Sequence, residues 1–319
     1  MNTSDKPALV VGLAAAYQRT LRFSGLRTGE INRASHTAIS AAGKGVNVAR
    51  ALHALGCPVE LITFLGSTTG EWIRRRLAVE AIACCCVPTE AATRICQTLI
   101  DERSGAVTEL IEEMTPPRPG EWQQFQMAYS AALERASIVV VAGTLPPGAP
   151  STFYGELARQ AQACEVPFVI DSHGTPLWSA LPFAPNGVKC NRMELGLTVN
   201  ASVASDAELV AAARRMQAEG ADPLLVTDGA ACAWWFDGER VVRLQPPEIH
   251  PVNPIGSGDA VTAGWVAGMQ RGDSPFMAIR RGLACGTANA LTDIPGEFDP
   301  VTVDKLLAEV HVTRPEKQA

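Results

Sequence analysis

The sequence predicts an α/β protein with a central, mostly parallel sheet flanked by helices and a small β-sheet lid. Short β-branched or apolar runs ending in Gly, Asp or Asn alternate with Ala- and Leu-rich stretches of helical character. Two segments interrupt that rhythm with polar and apolar residues in alternation around Gly-containing turns. At 319 residues and 47% hydrophobic content, the chain can bury one large core with a small appendage.

The strand runs in order are ALVVG at 8–12, ELITFLG at 60–66, SIVVVAG at 137–143, PFVID at 167–171, a short run around Val188, and PLLVTDG at 223–229. Ligands of such a sheet bind at the carboxyl ends of its strands. Residues 17–40 and 88–112, the latter with the turn Arg103-Ser104-Gly105, read as hairpins. Each is inserted between an early strand and the next helix on that ligand-binding side, so together they read as a lid, which TPPRPG at 115–120 ends. The α/β core is therefore expected at 1–16, 41–87 and 113–312, the lid at 17–40 and 88–112, and a frayed tail at 313–319.

A formal net charge of -6 gives a field that repels polyanions, and the one basic run, Arg74 to Arg76, reads as a solvated helix face. Nucleic acid is thus excluded as a partner. The N-terminus lacks a charged-then-apolar signal layout, and no apolar run reaches the roughly 18 residues of a membrane span, so no membrane association and a cytoplasmic location are expected. Nine cysteines, with Cys84, Cys85 and Cys86 consecutive, lack paired metal-knuckle spacing and read as buried reduced thiols. Five scattered histidines form no metal motif.

The strongest chemical signal is NPIGSGDAVTAGWVAGMQRG at 253–272, a Gly-rich turn running into a helix marked by Val261, Trp265 and Met269. Free first-turn amides, approached closely past Gly256 and Gly258, make a nest for a phosphoryl group. A carboxylate there, Asp259, repels a stored anion but suits a base that takes a proton from an attacking hydroxyl; it equally suits a helix N-cap. A second Gly-rich element, AGKGVNVARALHALG at 42–56, also opens a helix. It is not a Walker A loop, since Lys44 is followed by Gly45. Lys44 and Asn47 could hold an anionic or polyhydroxylated substrate, or the glycines could serve only a close helix–sheet contact. In KCNRMEL at 189–195, Asn191 and Glu194 offer oxygen ligands suited to magnesium and its waters, and a capping arrangement explains them as well.

Taken together and in order, these elements resemble the ribokinase-like PfkB family of sugar kinases over nearly the whole chain. Within it, the sequence is most similar to fructose-1-phosphate and tagatose-6-phosphate kinases, through TGEINR at 28–33, AGKGVNVAR at 42–50, FLGSTTGEW at 64–72, TRICQTLID at 93–101, AGTLPPG at 142–148, KCNRMEL, NPIGSGDA and TANAL at 287–291. The resemblance implies an ATP-dependent phosphotransferase with Asp259 as base and Gly256, Ser257 and Gly258 as the anion hole. It implies Lys189, Asn191 and Glu194 facing ATP phosphates and magnesium, the metal held by Glu194 and Asn191 through water, with Thr227, Gly229 and Asn289 near the nucleotide. Gln18, Gly43, Lys44 and Asn47 would contact the sugar, and lid residue Arg94 would pair with its existing phosphate. A homodimer through the lid is also implied, while dependence on a monovalent cation stays open.

The chain departs from the family pattern at four places. Ala14 to Gln18 stand where members commonly read N-P-A-x-D, so an amide replaces the acidic contact to sugar hydroxyls. Ala42 replaces a Gly, Cys96 a frequent Asn, and Cys232 a Gly of the nucleotide loop. The acceptor sugar is therefore not specified, and a non-catalytic sugar- or nucleotide-binding protein of the same fold is the alternative. A nicotinamide-dependent dehydrogenase is disfavoured because VGLAAAYQ after the first strand lacks the G-x-G-x-x-G turn.

Overall fold

The computed structural model describes residues 6–313. Ten strands form one sheet: β1 (Ala8–Val11), β4 (Val59–Gly66), β5 (Ala83–Thr89), β8 (Ile138–Ala142), β9 (Phe168–Asp171), β10 (Gly187–Asn191), β11 (Leu224–Asp228), β12 (Cys232–Asp237), β13 (Arg240–Gln245) and β14 (His311–Thr313). Their spatial order is β14-β13-β12-β11-β10-β9-β8-β1-β4-β5. From β5 to β11 every pairing is parallel, and β12 to β14 continue antiparallel to the far edge.

Among the described residues ten α-helices accompany the sheet: α1 (Lys44–Ala54), α2 (Ser67–Val79), α3 (Pro119–Leu133), α4 (Phe153–Ala163), α5 (Gly174–Ala180), α6 (Arg192–Val199), α7 (Asp206–Ala218), α8 (Ser257–Gln270), α9 (Pro275–Ala290) and α10 (Pro300–Glu309). Their starts are written locally. Ser205 and Glu208 form a reciprocal capping box on α7, and Ser274 caps α9 ahead of Pro275. None of these helices is long and apolar enough to cross a membrane.

Both faces of the sheet are covered, which is why its strands read as continuous apolar runs. Along β1, Ala8 and Val10 join a core with Val46, Leu52, Trp265, Ile279 and Leu283 of α1, α8 and α9. Leu9 and Val11 join the opposite core, with Phe125, Tyr129, Leu157, Leu195 and Met216 of α3, α4, α6 and α7.

A separate four-stranded sheet has the order β3-β2-β6-β7, built from β2 (Ala16–Phe23), β3 (His36–Ala42), β6 (Ile95–Asp101) and β7 (Val107–Ile111). The β2–β3 and β6–β7 hairpins pair antiparallel, and β2 pairs with β6 in parallel, joining the two insertions.

Three expectations need adjustment. Pro88 and Thr89 finish β5 in the large sheet, and Thr313 closes β14 on the edge, leaving 314–319 and 1–5 outside the described residues. The cysteines are all free, but Cys84, Cys85 and Cys86 are only half-buried and Cys164 is exposed. The polar backbone of an edge strand is open on one side, so its side chains are less enclosed than those of the central strands.

Candidate active site

The carboxyl ends of β9 and β10 place Asp171 and Lys189 side by side, as neighbours in register. Lys189 Nζ donates to Asp171 Oδ2 at 3.0 Å, and Thr262 Oγ1 of α8 donates to the same oxygen at 2.8 Å. Lys44, at the start of α1, reaches Asp171 Oδ1 at 3.5 Å and Glu194 Oε1 at 3.2 Å. Asp171 and Lys189 are buried, so each charge survives only because its partner is present. Burial works against ionised Asp171, but the ammonium groups of Lys189 and Lys44 prevail and hold its pKa below the ordinary range. Burial likewise opposes charged Lys44, yet the carboxylates of Asp171, Glu194 and Asp259 hold its pKa above the usual lysine value.

Helix α8 opens on Gly256, whose φ of 80° is left-handed; a side chain there would also strike the ring of Pro295. The Ser257 amide donates to Pro254 O, whereas those of Gly258 and Asp259 find no backbone acceptor among the described residues. A Cβ on Gly258 would lie 2.8 Å from Lys189 Nζ, so the bare glycine lets that ammonium sit against the open helix end. The result is a positive, donor-rich cradle.

Asp259 stands in that first turn, buried, with Oδ2 accepting from Asn47 Nδ2 at 2.8 Å. Desolvation raises its pKa to about 6, against the opposing pull of Lys44; the nearby Asp171 charge adds to the rise. Asn47 Oδ1 is buried with no hydrogen-bond partner. An unpartnered acceptor beside a buried carboxylate can take a hydrogen bond from an incoming hydroxyl.

On the other side of the site, Asn191 and Glu194 form the capping box at the start of α6. Glu194 N donates to Asn191 Oδ1 and Asn191 N donates to Glu194 Oε2, both at 2.8 Å. The Asn191 carbonyl oxygen is thus committed to the helix end, while Glu194 Oε1 faces Lys44. Thr227 lies next to Asn191 in register at the end of β11, and Gly229 follows in an open turn.

Asn289 is completely buried in α9, donating to Ile255 O and Ser257 Oγ and accepting from Gly296 N. With its polar atoms so engaged it braces the Gly256 turn from behind. Asn253 adds a second brace, accepting from Ile255 N and donating to Asp293 O. The Asp293 side chain pairs with Arg22 of β2, linking the small sheet to that turn.

Gln18, Gly43 and Arg94 gather around the segment following β1. A side chain at Gly43 would meet Ala14 O, Arg94 Nη2 donates to that same carbonyl at 3.0 Å, and Gln18 lies two residues up β2 from Ala16, which pairs with Ala42. Gln18 Nε2 donates to Thr98 Oγ1 at 2.8 Å. Arg94 Nη1 also reaches Glu112 O. The structure does not join Lys44 to Arg94 in one cationic grip, because the lysine turns toward Asp171 and Glu194.

Asp171 and Thr262 were missed in sequence. An Asp ending a parallel strand beside another strand's Lys was the available signal for the first, and Thr262, three residues after Asp259 on α8, had none beyond helical spacing.

The chain is similar to known proteins over nearly its whole length. Residues 6–294 match the pfkB family carbohydrate kinase domain. The 1-phosphofructokinase of Haemophilus influenzae is 28% identical over 306 residues, covering 96% of this chain and 97% of its own. The tagatose-6-phosphate kinase of Staphylococcus epidermidis is 27% identical over 285 residues, 88% of this chain and 91% of its own. Phosphofructokinase-2 of Escherichia coli, 25% identical and matching 95% of this chain and 99% of its own, superposes with a TM-score of 0.85 in its fructose-6-phosphate complex and 0.87 in its potassium complex.

Proposed function

The chain belongs to the pfkB family of carbohydrate kinases, and on that premise we propose that it transfers the γ-phosphoryl group of ATP to a hydroxyl of a small sugar phosphate, with Asp259 as the base. The observation that carries this reading is the juxtaposition of Asp259 with the open amides of α8 and with the unpartnered Asn47 Oδ1. A hydroxyl donating to Asn47 Oδ1 or Asp259 would be aimed at a phosphoryl group seated over Gly256, Ser257 and Gly258. Positioning and charge stabilisation then supply most of the acceleration.

Lys189, against Gly258, and Lys44, between Asp171 and Glu194, would neutralise charge on the moving phosphoryl group. The carboxylate of Glu194 fits magnesium, which prefers carboxylates, water and phosphate oxygens. Among the described residues no group of three or more His, Cys, Asp or Glu side chains is placed to hold a metal, so waters and ATP would complete its shell. The metal would supply neutralisation of the ATP phosphates. Asn191 would act indirectly, fixing Glu194 through the capping box. Thr227 and Gly229 would border the nucleotide.

For the acceptor, the named relatives all act on or bind phosphorylated ketohexoses. We assign Gly43, Asn47 and Gln18 to the sugar and Arg94 to its phosphate. Since Thr98 takes the Gln18 amide nitrogen, the carbonyl oxygen is what remains for a substrate hydroxyl. The small sheet would act as lid and dimer surface, with Ile39, Leu110 and Ile111 exposed on it for a second copy to cover. The potassium complex of a relative makes a monovalent cation worth adding to assays.

An ADP-release screen tests the reading. Fructose-1-phosphate, tagatose-6-phosphate and fructose-6-phosphate are compared with unphosphorylated ketoses, with magnesium and with or without potassium. Turnover confined to a phosphorylated acceptor is expected. ADP release with no acceptor dependence would refute it.

A further inference from the structure

Strand β5 carries three cysteines in a row and, among the described residues, has no neighbouring strand on its outer side. Side chains two apart in a strand share a face. Cys84 and Cys86 accordingly pack against the core containing Ile73 and Leu77, and Cys85 packs against the opposite one. The Sγ atoms of Cys84 and Cys86 lie 2.9 Å apart, about 0.9 Å beyond a disulfide of roughly 2.05 Å. Both are half-buried, whereas Cys57, Cys96, Cys190, Cys232 and Cys285 are enclosed.

The two thiols are not equivalent. The two thiols share a hydrogen bond, and that contact with Cys84, with help from Arg74, holds the Cys86 thiol below its ordinary pKa despite burial and the opposing charge of Glu71. The same bond, together with burial and nearby Glu60, pushes Cys84 up. Cys86 therefore has the character of a nucleophile and Cys84 of its resolving partner.

We propose that Cys84 and Cys86 form a thiol modification site that a low-molecular-weight disulfide converts to an internal disulfide. The Cys86 thiolate attacks one sulfur of the incoming disulfide, whose S–S bond breaks and releases one thiolate. Cys84 gives its proton to solvent and attacks Cys86 Sγ in the mixed disulfide, releasing the second thiolate. Two protein thiols are oxidised, and one external disulfide is reduced to two thiols.

The backbone sets how stable that bond is. A rise of about 3.3 Å per residue holds Cα atoms two apart near the upper end of the disulfide range and their Cβ atoms beyond the roughly 3.5–4.5 Å it allows, so closure must pucker the strand. An edge strand can bend outward without breaking a second ladder. The strain makes the bond readily reducible, and the modification reversible.

The test treats the full chain with oxidised glutathione and maps thiols by mass spectrometry. The wild-type peptide spanning residues 84–86 should lose two hydrogens, retain no glutathione and regain both thiols with dithiothreitol, while exposed Cys164 forms an ordinary glutathione adduct. Cys84→Ser should trap a lasting adduct on Cys86, and Cys86→Ser should leave Cys84 unmodified. Circular dichroism melts confirm that both variants fold. A stable adduct on wild-type Cys86, or free Cys84 and Cys86 once Cys164 is fully modified, would overturn the proposal.

Discussion

Asn47 and Asp259, separated by 212 positions in sequence, meet in a buried 2.8 Å hydrogen bond from Nδ2 to Oδ2. The bond fixes one carboxylate oxygen of Asp259 and leaves the amide oxygen of Asn47 unpartnered. Asp259→Asn is expected to lower kcat by about 10²- to 10⁴-fold, the usual contribution of a positioned base. Asn47→Ala, which loses the orienting bond, is expected to lower kcat/KM by roughly tenfold, matching a hydrogen bond to a charged group. Steady-state kinetics check both.

The pH profile follows from the raised pKa of Asp259. A base must be deprotonated, so kcat/KM is expected to fall on the acid side with an apparent pKa near 6. Lys44 pulls that value down, so Lys44→Ala should move the acid limb to higher pH. An unchanged limb in this variant, measured over the same buffers, would separate Asp259 from the titration.

The same carboxylate links pH to stability. Its folded pKa lies above the unfolded value, so its stabilising contribution is complete below the ordinary carboxylate range and declines as pH rises through about 6. Asp259→Asn, which removes the buried charge, is expected to stabilise the fold by about 3 kcal/mol at pH 7.5 and by about half of that at pH 5. Urea denaturation at the two values distinguishes them.

Asp171 holds Lys189, Lys44 and Thr262 with its two oxygens. Asp171→Ala leaves buried cations without a partner and is expected to destabilise by about 3–5 kcal/mol. Asp171→Asn keeps an acceptor for Thr262 and should lose less. Both are read as shifts in the denaturant midpoint.

Gly258→Ala would place a methyl 2.8 Å from Lys189 Nζ. The flexible end of the lysine can move aside, so the melting temperature should change little while kcat falls by about tenfold to a hundredfold. A drop in melting temperature with unchanged kcat would mean that the lysine's place against the helix matters to folding alone.

The large sheet was legible because β1, β4, β8, β9 and β11 are largely apolar on both faces and either end in Gly or Asp or are followed at once by Gly. Strand β5 was not. ACCCVPT is an edge strand with mixed exposure, and its cysteines and proline give no alternation to read. Within the site, Asp259, the glycine turn and Asn47 were legible because helix-opening glycines announce themselves locally. The direction of Asn289 was not legible, because a motif fixes a neighbourhood and not an orientation: its amide points at the back of the turn. Asp171 needed knowledge of strand order, since it lies beside Lys189 only after β9 and β10 pair.

Because α8 is encoded so late, a nascent chain leaving the ribosome holds Lys44, Asp171 and Lys189 long before Asp259 and Thr262 emerge. Domains generally fold as units during synthesis. A truncated translation product ending before α8 would therefore carry the residues Lys44, Asp171 and Lys189 yet lack both the amide cradle and the Asp259 carboxylate, and with them the means to squander ATP.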